Sequence, residues 1–332
     1  MQALVTGGGG FLGGAICRQL LAAGWQLRSL QRSAAPELAA QGVDCRQGDI
    51  TNADTVREAA SGCDTIFHTA AKAGVWGAAQ DYERINIQGT EHVLAACRAL
   101  QIPRLIYTSS PSVVYAGRDE AGIDESTPYP ATYLTHYPRT KAHAERAVLA
   151  ANCATLRTVA LRPHLIWGPG DNHLVPRLLE RSRSGKLRRV GRGSNLVDTV
   201  YVDNAAEAHL LAADRLQPDS PVCGKAYFIT NGEPVPLWNL IDRMLDCGGE
   251  PPVKRSISAS AAYAIGAALE TTYALLGRSD EPPMTRFVAR QLSTAHWYDI
   301  SAARRDFGYV PRITLQEGLL RLREWLQSQA PR

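Results

Sequence analysis

Short apolar runs alternate with amphipathic stretches along the first half of the chain. The apolar runs are ALVT (3–6), WQLRSLQ (25–31), VDCRQGDI (43–50), DTIFHTAA (64–71), RLIYTSSPSVVY (104–115) and TVALRPHLIWGPGD (158–171). The helical stretches are GAICRQLLAAG (14–24), TNADTVREAASG (51–62) with Asn52 or Asp54 as its cap, INIQGTEHVLAACRALQ (85–101) and HYPRTKAHAERAVLAANC (136–153). Because strands that alternate with helices form parallel sheets covered on both faces, we predict a doubly wound α/β fold.

The composition is that of a folded protein with a substantial core, since 45% of the residues are hydrophobic and 20% are charged. The net charge of +4 is spread without a long basic run, so we expect no nucleic-acid binding. Seven cysteines are scattered singly without zinc spacing, which predicts reduced thiols, no metal site and a cytoplasmic protein. The first residues lack the pattern of a signal peptide.

A glycine-rich loop joins the first predicted strand to the first predicted helix. Gly7, Gly10 and Gly13 give a G-x-x-G-x-x-G spacing that also encloses Phe11 and Leu12. Without side chains the backbone can approach a pyrophosphate closely, and the N-terminus of the following helix supplies N–H groups and positive potential. Four consecutive glycines could also be a flexible turn, but the strand before them and the helix after them favour a dinucleotide site.

The length of 332 residues suits one large domain or a domain with a smaller partner. We predict a Rossmann-type dinucleotide-binding domain with catalytic residues at 1–165. A smaller, mainly substrate-binding C-terminal region is predicted at 166–332, and some of its segments, such as 196–215, are expected to return to the Rossmann domain.

The end of the second strand bears on the choice between NAD and NADP. Folds of this kind carry an acidic residue there, which binds the ribose hydroxyls of NAD. Here the strand ends Leu30-Gln31-Arg32-Ser33, with no carboxylate nearby. An arginine at this place can hold a 2′-phosphate through paired charged hydrogen bonds. Arg32 therefore predicts NADP(H), with a solvated surface arginine as the alternative reading.

Tyr137 and Lys141 lie four residues apart where an amphipathic helix begins, so they project from one face of it. None of the other eleven tyrosines has a lysine four residues later. Taken alone, the pair could be an ordinary helix surface. Because it follows a nucleotide loop and a strand that ends Thr108-Ser109-Ser110, we interpret it as a catalytic pair.

At these positions the sequence resembles the extended short-chain dehydrogenases/reductases. The matching segments are TGGGGFLG (6–13), GDI (48–50), HTAA (68–71), YTSS (107–110), YPRTK (137–141), LRPHLIWGPGD (161–171), YVDNAAEAH (201–209) and DFGYVPRITLQEGL (306–319), which cover nearly the whole chain. RPHLIWGPGD and the segment after residue 250 resemble the 3β-hydroxysteroid dehydrogenase-like branch. More narrowly, AAKAGVWG (70–77), GPGDNHLVPRL (168–178) and HWYDISAARRDFGYVPRI (296–313) are similar to the 2-alkyl-3-oxoalkanoate reductases of bacterial long-chain olefin biosynthesis.

The resemblance implies roles for three side chains. Tyr137 gives its proton to a substrate carbonyl oxygen as hydride arrives from the nicotinamide, and Lys141 lowers the pKa of the phenol and holds the nicotinamide ribose. Ser110, third in the family's TSS triplet, hydrogen-bonds the same oxygen. Ser109 and Ser112 remain alternatives as turn or active-site hydroxyls, and Tyr129 and Tyr133 are read as wall or surface residues.

Further contacts follow from the same resemblance. Asp49 and Ile50 are expected to flank the adenine, and Ala70, Ala71 and Lys72 to line the cofactor after the fourth strand. Asn86 is expected in the helix behind the active site, and Pro163 beside the nicotinamide amide. His164 is expected as a polar wall at the edge of the pocket. Asp49 could instead only cap a loop, and Asn86 could only bridge helices.

Residues 257–277, ISASAAYAIGAALETTYALLG, are mostly small and apolar but contain Glu270. A membrane span needs about 20 predominantly apolar residues without such interruption, so we expect no span. A buried or tunnel-forming helix, or a helix on a bilayer surface, is the favoured reading, with an ordinary core helix as the alternative. An apolar helical insert in the substrate region favours a long-chain, lipid-like substrate.

Three functions remain open at this stage. The favoured one is NADPH-dependent reduction of the 3-keto group of a long-chain 2-alkyl-3-oxoalkanoic acid in olefin biosynthesis, with a 3β-hydroxysteroid dehydrogenase-type activity beside it. The second is a nucleotide-sugar epimerase or dehydratase that retains NAD. The third is a non-catalytic cofactor-sensing protein. The resemblance also implies a homodimer and association with other olefin-pathway enzymes.

Overall fold

The computed structural model describes residues 1–329. The strands of this part of the chain are β1 Gln2–Thr6, β2 Gln26–Gln31, β3 Asp44–Gln47, β4 Thr65–His68, β5 Arg104–Thr108, β6 Glu120–Ile123, β7 Arg157–Pro163, β8 Ile166–Trp167, β9 Arg189–Val190, β10 Leu196–Val197, β11 Val200–Tyr201, β12 Lys225–Ile229, β13 Val235–Pro236, β14 Ser256–Ile257 and β15 His296–Tyr298.

The helices are α1 Phe11–Ala22, α2 Pro36–Ala40, α3 Ala53–Ala60, α4 Ala79–Tyr82, α5 Gly89–Ala99, α6 His136–Ala150, α7 Leu174–Arg183, α8 Val202–Arg215, α9 Leu237–Cys247, α10 Ala259–Leu275, α11 Arg286–Ser293, α12 Ser301–Phe307 and α13 Leu315–Gln329. A π-helical segment, Glu83–Gln88, joins α4 to α5, and a 3₁₀ turn, Pro111–Val113, follows β5.

The central sheet has seven parallel strands in the order β12-β7-β5-β4-β1-β2-β3. Alternate residues of each strand enter different cores, as in β1, where Ala3 and Val5 face one core and Leu4 faces the other. α1 and α8 contribute to the first core, and α3, α5 and α6 contribute to the second. The predicted doubly wound α/β fold is therefore confirmed.

Local signals explain where the helices begin. Asn52 caps α3, since its Oδ1 accepts a hydrogen bond from the Thr55 backbone N–H at 3.0 Å, in agreement with the capping prediction. The fifth predicted strand is shorter than expected because the chain leaves the sheet after Thr108 and turns at Pro111.

The second half of the chain both returns to the sheet and builds a smaller layer. β12 pairs with β7 at the sheet edge, and α8 lies against α1, where Gln19 Nε2 donates to the carbonyl of Asp203 at 2.8 Å. β6, β10, β13 and β15 form a separate four-stranded sheet, and β14 pairs with β9. The domain boundary at residue 165 stays a prediction.

The apolar segment 257–277 forms α10, which is not a core helix. Only Ala262 and Gly266 of α10 are buried, whereas Ile265 and Leu275 are exposed. Gly266 lets α10 pack closely on the start of α11, because a Cβ there would lie 2.6 Å from the carbonyl carbon of Thr285. The reading as a buried helix is therefore wrong. None of the helices between residues 1 and 329 has the length and hydropathy of a membrane span.

Candidate active site

A cavity of about 670 Å³ lies at the carboxyl ends of the central strands, where parallel α/β sheets bind ligands. It brings together every residue predicted for cofactor binding or catalysis, namely Gly7, Gly10, Phe11, Leu12, Gly13, Arg32, Asp49, Ile50, Ala70, Ala71, Lys72, Ser110, Tyr137, Lys141 and Pro163. Leu165, Ile166, Asp171 and His173 also line it, and sequence reasoning did not select them. The roles of these residues stay predictions.

The glycine-rich loop fits a dinucleotide because two of its glycines leave no room for side chains. Gly7 has a φ of +76°, and a Cβ there would lie 3.0 Å from the backbone of Ala70. A Cβ on Gly13 would lie 2.1 Å from the carbonyl oxygen of Gly7. The loop therefore folds tightly onto the first turn of α1, whose free N–H groups suit a pyrophosphate.

The end of the cavity next to β2 is lined by one cation, Arg32, and one anion, Asp49. Arg32 is exposed, and no carboxylate in residues 1–329 forms an ion pair with it. Partial burial raises the pKa of Asp49, but hydrogen bonds from Thr51 and the positive charge of Arg32 outweigh it and lower the pKa overall. The Arg32 guanidinium is thus free to meet a phosphate, and Asp49 stays ionised beside it.

The end of β5 holds Lys141 in place, one turn after Tyr137. Tyr137 lies in the first turn of α6, and Lys141 follows one turn later, buried. The Nζ of Lys141 donates to the carbonyl oxygen of Thr108 at 2.6 Å and lies 4.2 Å from the centroid of the Tyr107 ring. Strand β5 therefore fixes the ammonium beside the cavity.

The electrostatics of this pair differ from the prediction. Burial raises the pKa of the Tyr137 phenol, and the Ser110 hydroxyl opposes only part of that rise. Burial also lowers the pKa of Lys141 to about 7, although the negative charge of Glu145 opposes the change. The expected lowering of the phenol pKa by Lys141 is therefore not found in this structure, because the ammonium faces Thr108 and Tyr107 and is itself poorly solvated.

A hydrogen bond from the Ser110 hydroxyl lowers the pKa of the Tyr137 phenol and so opposes the effect of burial. The Ser110 Oγ lies 2.9 Å from Ser112 Oγ and accepts from the Ser112 backbone N–H at 3.3 Å, so it caps the 3₁₀ turn. Ser109 also lines the cavity, but its hydroxyl is buried without a partner in the described residues. The geometry therefore favours Ser110 as the hydroxyl partner of Tyr137.

A buried charge cluster behind the catalytic helix was not selected from the sequence. Glu145, one turn after Lys141, accepts hydrogen bonds from the Arg162 Nη2 at 2.7 Å and from the Tyr129 hydroxyl at 2.6 Å. Arg162 directly precedes Pro163 at the cavity wall. The four-residue spacing places Lys141 and Glu145 on one face of α6, and this was the only hint in the sequence. Arg162 lies in β7 and Tyr129 in the loop before α6, so the sequence could not show that they contact Glu145. Tyr129 is thus a half-buried support rather than a cavity wall.

Asn86 connects the cavity loop to the catalytic helix, as expected from its position. Its Oδ1 accepts from the Lys72 backbone N–H at 2.7 Å, and its Nδ2 donates to the Lys72 carbonyl at 3.1 Å. The same Nδ2 lies 3.0 Å from the Thr140 Oγ1. Both sides of the Lys72 backbone are therefore fixed relative to α6.

His164 does not line the cavity, so the prediction of a polar wall is wrong. Along this segment Pro163 and Leu165 face the cavity, and the alternation of side chains turns His164 away. Its ring lies 5.0 Å from the rings of His296 and Tyr298. Burial and the neighbouring His296 hold its pKa well below the ordinary value.

Comparisons with known proteins show the family of this chain. The family model described as the 3-beta hydroxysteroid dehydrogenase/isomerase family matches residues 4–255. A 2-alkyl-3-oxoalkanoate reductase of Shewanella oneidensis is 53% identical over 97% of this chain and 85% of its own length. A protein of the same name from Stenotrophomonas maltophilia is 52% identical over 97% of this chain and 98% of its own length.

A solved structure supports the fold. The UDP-glucuronic acid 4-epimerase from Bacillus cereus, in complex with NAD, matches with a TM-score of 0.76 over 99% of each chain. At 21% sequence identity, this likeness shows the fold and not the activity.

Proposed function

The chain belongs to the 3-beta hydroxysteroid dehydrogenase/isomerase family of extended short-chain dehydrogenases/reductases and is an oxidoreductase, and from this premise we propose its reaction. The proposed reaction is the NADPH-dependent reduction of the 3-keto group of a long-chain 2-alkyl-3-oxoalkanoic acid to a 3-hydroxy group. We place this step in olefin biosynthesis.

The observation that carries the proposal is the meeting of Ser110, Tyr137 and Lys141 in the cavity that also contains the glycine-rich loop. When bound, the nicotinamide cofactor supplies the hydride. The Tyr137 hydroxyl donates its proton to the carbonyl oxygen, and the Ser110 hydroxyl donates a hydrogen bond to the same oxygen as negative charge develops. Lys141, held at the end of β5 by the Thr108 carbonyl, would bind the ribose hydroxyls of the cofactor next to the phenol.

The preference for NADP(H) rests on the end of β2. Arg32 lines the cavity without a paired carboxylate, and the strand ends on Gln31 rather than on an acidic side chain. A guanidinium offers two parallel donors to a 2′-phosphate, whereas an aspartate at this place would repel it. The Gly7–Gly13 loop and the first turn of α1 would hold the pyrophosphate.

The substrate class is transferred from the two relatives that are more than half identical and match nearly the whole chain. The exposed apolar helix α10, which follows the family match, is consistent with a lipid-like substrate. A 3β-hydroxysteroid is the second candidate, since the matching family carries that name.

The test is the reverse reaction: NADP⁺ reduction by the purified protein with a long-chain 2-alkyl-3-hydroxy acid, run beside a 3β-hydroxysteroid. The hydroxy acid is chosen because free 3-oxo acids lose carbon dioxide. Turnover of the acid alone supports the proposal, and turnover of the steroid alone transfers the same chemistry to a sterol. No turnover of either substrate, with NAD retained through purification, contradicts the proposal and favours a nucleotide-sugar epimerase or dehydratase.

A further inference from the structure

A 2-alkyl-3-oxoalkanoic acid carries a carboxylate two carbons from the carbonyl carbon that is reduced. When the carbonyl oxygen meets Tyr137, this anion must also lie close to the catalytic end of the cavity. An anion removed from water needs a cation or several N–H donors to offset its desolvation. The site of the proposed function should therefore contain a cation that the catalytic residues do not already use.

Four side chains that line the cavity can carry positive charge: Arg32, Lys72, Lys141 and His173. Arg32 lies at the end of β2, beside Asp49 and away from the catalytic helix. Lys141 is bound to the Thr108 carbonyl and has a pKa lowered to about 7 by burial. Lys72 and His173 remain, and of these Lys72 carries an ammonium, whereas the exposed imidazole of His173 is a cation only when protonated.

Arginines nearby are already neutralised by carboxylates. Arg139 donates to Glu83 at 2.7 Å, and Arg177 holds Glu281 with two hydrogen bonds, of 3.1 and 2.5 Å. Lys72 differs from them. Its Nζ lies 3.4 Å from Asp81 Oδ2, a long contact with a half-exposed carboxylate, and its side chain is partly exposed. Such a pair contributes little energy and yields readily to a better anion.

The position of Lys72 is fixed although its ammonium is loosely held. Asn86 binds both the N–H and the carbonyl of Lys72 and also contacts Thr140, the residue before Lys141. The Nζ lies 5.3 Å from the centroid of the Tyr82 ring. The Tyr82 ring lies 6.1 Å from the ring of His136, the residue before Tyr137. The ammonium is thus attached to a fixed backbone, near the first turn of α6 and in the cavity that Tyr137 also lines.

We propose that the Lys72 ammonium binds the carboxylate of the substrate, while the backbone of Ala70–Lys72 lines the cofactor. This assignment rests on the proposed function. On binding, the substrate carboxylate replaces Asp81 as the partner of the ammonium. A lysine suits this task because its charge is compact and its four-carbon stem adjusts to the position of the anion.

The experiment compares Lys72→Met with the wild type on a 2-alkyl-3-hydroxy acid and on its methyl ester, which lacks the charge. The KM for the acid should rise about 10- to 100-fold, as for loss of a hydrogen bond to a charged group, while the KM values for the ester and for NADP⁺ stay unchanged. Lys72→Arg should retain most of the affinity for the acid. Asp81→Asn, which removes the competing carboxylate, should lower the KM for the acid. Lys186→Met, at an exposed lysine outside the cavity, is the matched control and should change none of these values.

Three outcomes decide the matter. An equal rise for the acid and the ester overturns the assignment of Lys72, because the carboxylate is then not what the lysine recognises. A rise confined to NADP⁺ also overturns it and assigns the ammonium to the cofactor. A wild-type protein that converts neither the acid nor the ester refutes the proposed function itself, which separates that failure from a failure of Lys72.

Discussion

The side chains of Glu145 and Arg162 form a two-point ion pair inside the protein, with Arg162 Nη2 2.7 Å from Oε1 and Nε 3.0 Å from Oε2 of Glu145. Both side chains are almost fully buried. The pair connects helix α6, one turn after Lys141, to strand β7, immediately before the cavity residue Pro163. The ion pair therefore fixes the position of α6 relative to the cavity wall at Pro163.

Replacing Glu145 by Gln should destabilise the protein by about 3–5 kcal/mol, because the buried Arg162 guanidinium then lacks a counter-charge. Urea unfolding measures the loss. Removing both charges in Glu145→Gln/Arg162→Met should recover much of it, since a methionine costs little to bury. A double variant as unstable as the sum of the single ones would contradict the account of the pair.

Replacing Tyr137 by Phe should lower kcat by at least about a hundredfold, since the group that donates the proton is lost. NADPH binding, followed by fluorescence titration, should stay within a few-fold of the wild-type value. Tyr133→Phe is the matched control, because the Tyr133 hydroxyl donates to the Val113 carbonyl at 3.1 Å and does not line the cavity. Near-normal turnover by the Tyr137 variant would remove this residue from the mechanism.

Replacing Arg32 by Asp should shift the cofactor preference from NADPH towards NADH. The aspartate repels a 2′-phosphate and accepts hydrogen bonds from the free ribose hydroxyls of NADH. The ratio of kcat/KM for the two cofactors is the readout, with a change of at least about tenfold expected for one charged hydrogen-bonding pair. Arg98→Gln, on the exposed face of α5, is the control. An unchanged ratio in the Arg32 variant shows that another group selects the cofactor.

Two adjacent glycines of α1 should respond in opposite ways to alanine. A Cβ at Gly13 would lie 2.1 Å from the Gly7 carbonyl oxygen, so Gly13→Ala should disrupt the loop and weaken cofactor binding. At Gly14 the nearest atom would be 3.4 Å away, so Gly14→Ala should be tolerated and even stabilise the helix by up to about 1 kcal/mol. Thermal unfolding with and without NADPH tests both. Equal effects at the two positions would exclude the packing argument.

Glu120 should make stability depend on pH. Burial raises the pKa of Glu120 from 4.5 to about 7, so between these values the folded protein keeps a proton that the unfolded chain releases. The raised pKa therefore stabilises the fold fully below pH 4.5, and this contribution is lost as the pH rises to about 7.

Relative to the wild type, Glu120→Gln should gain about 3 kcal/mol between pH 4.5 and pH 8, because raising the pKa of this carboxyl from 4.5 to about 7 corresponds to that free energy. Denaturant unfolding at the two pH values gives the difference. Glu58→Gln, at an exposed position of α3, should show no such gain. A pH-independent difference for the Glu120 variant would mean that this carboxyl titrates normally in the folded protein.

Sequence patterns predicted those parts of the site that lie within a few residues of each other. The Gly7–Gly13 loop and the Tyr137–Lys141 pair are local, since each depends on one turn and one helix. The contact of Lys141 with Thr108 and the cluster of Glu145, Arg162 and Tyr129 join distant segments, and only the folded chain shows them. The order of the strands in the central sheet likewise depends on pairing between distant segments, so only the folded chain shows it.

The prediction for His164 failed, and so did one of the readings of α10, that of a buried helix, for physical reasons that composition does not reveal. His164 was expected at the cavity edge because it follows Pro163, but successive residues of an extended segment face opposite ways. Helix α10 is mostly small and apolar, and such a pattern is typical of a buried helix. Here only Ala262 and Gly266 are buried, and Tyr263 is partly buried against the core, so an apolar composition does not indicate burial of the whole helix.

Because only two residues of α10 are buried, this helix should separate from the protein more readily than the core elements. α10 packs on α11, whose Phe287 and Ala289 are buried, and Trp76 Nε1, in the loop after β4, donates to the carbonyl of Arg278 just beyond α10 at 3.1 Å. Segments with few buried side chains open at a lower free energy than the core strands. We expect the amide hydrogens of α10 to exchange with deuterium well before those of the central sheet, and each opening that parts Trp76 from Arg278 to loosen the loop between β4 and α4.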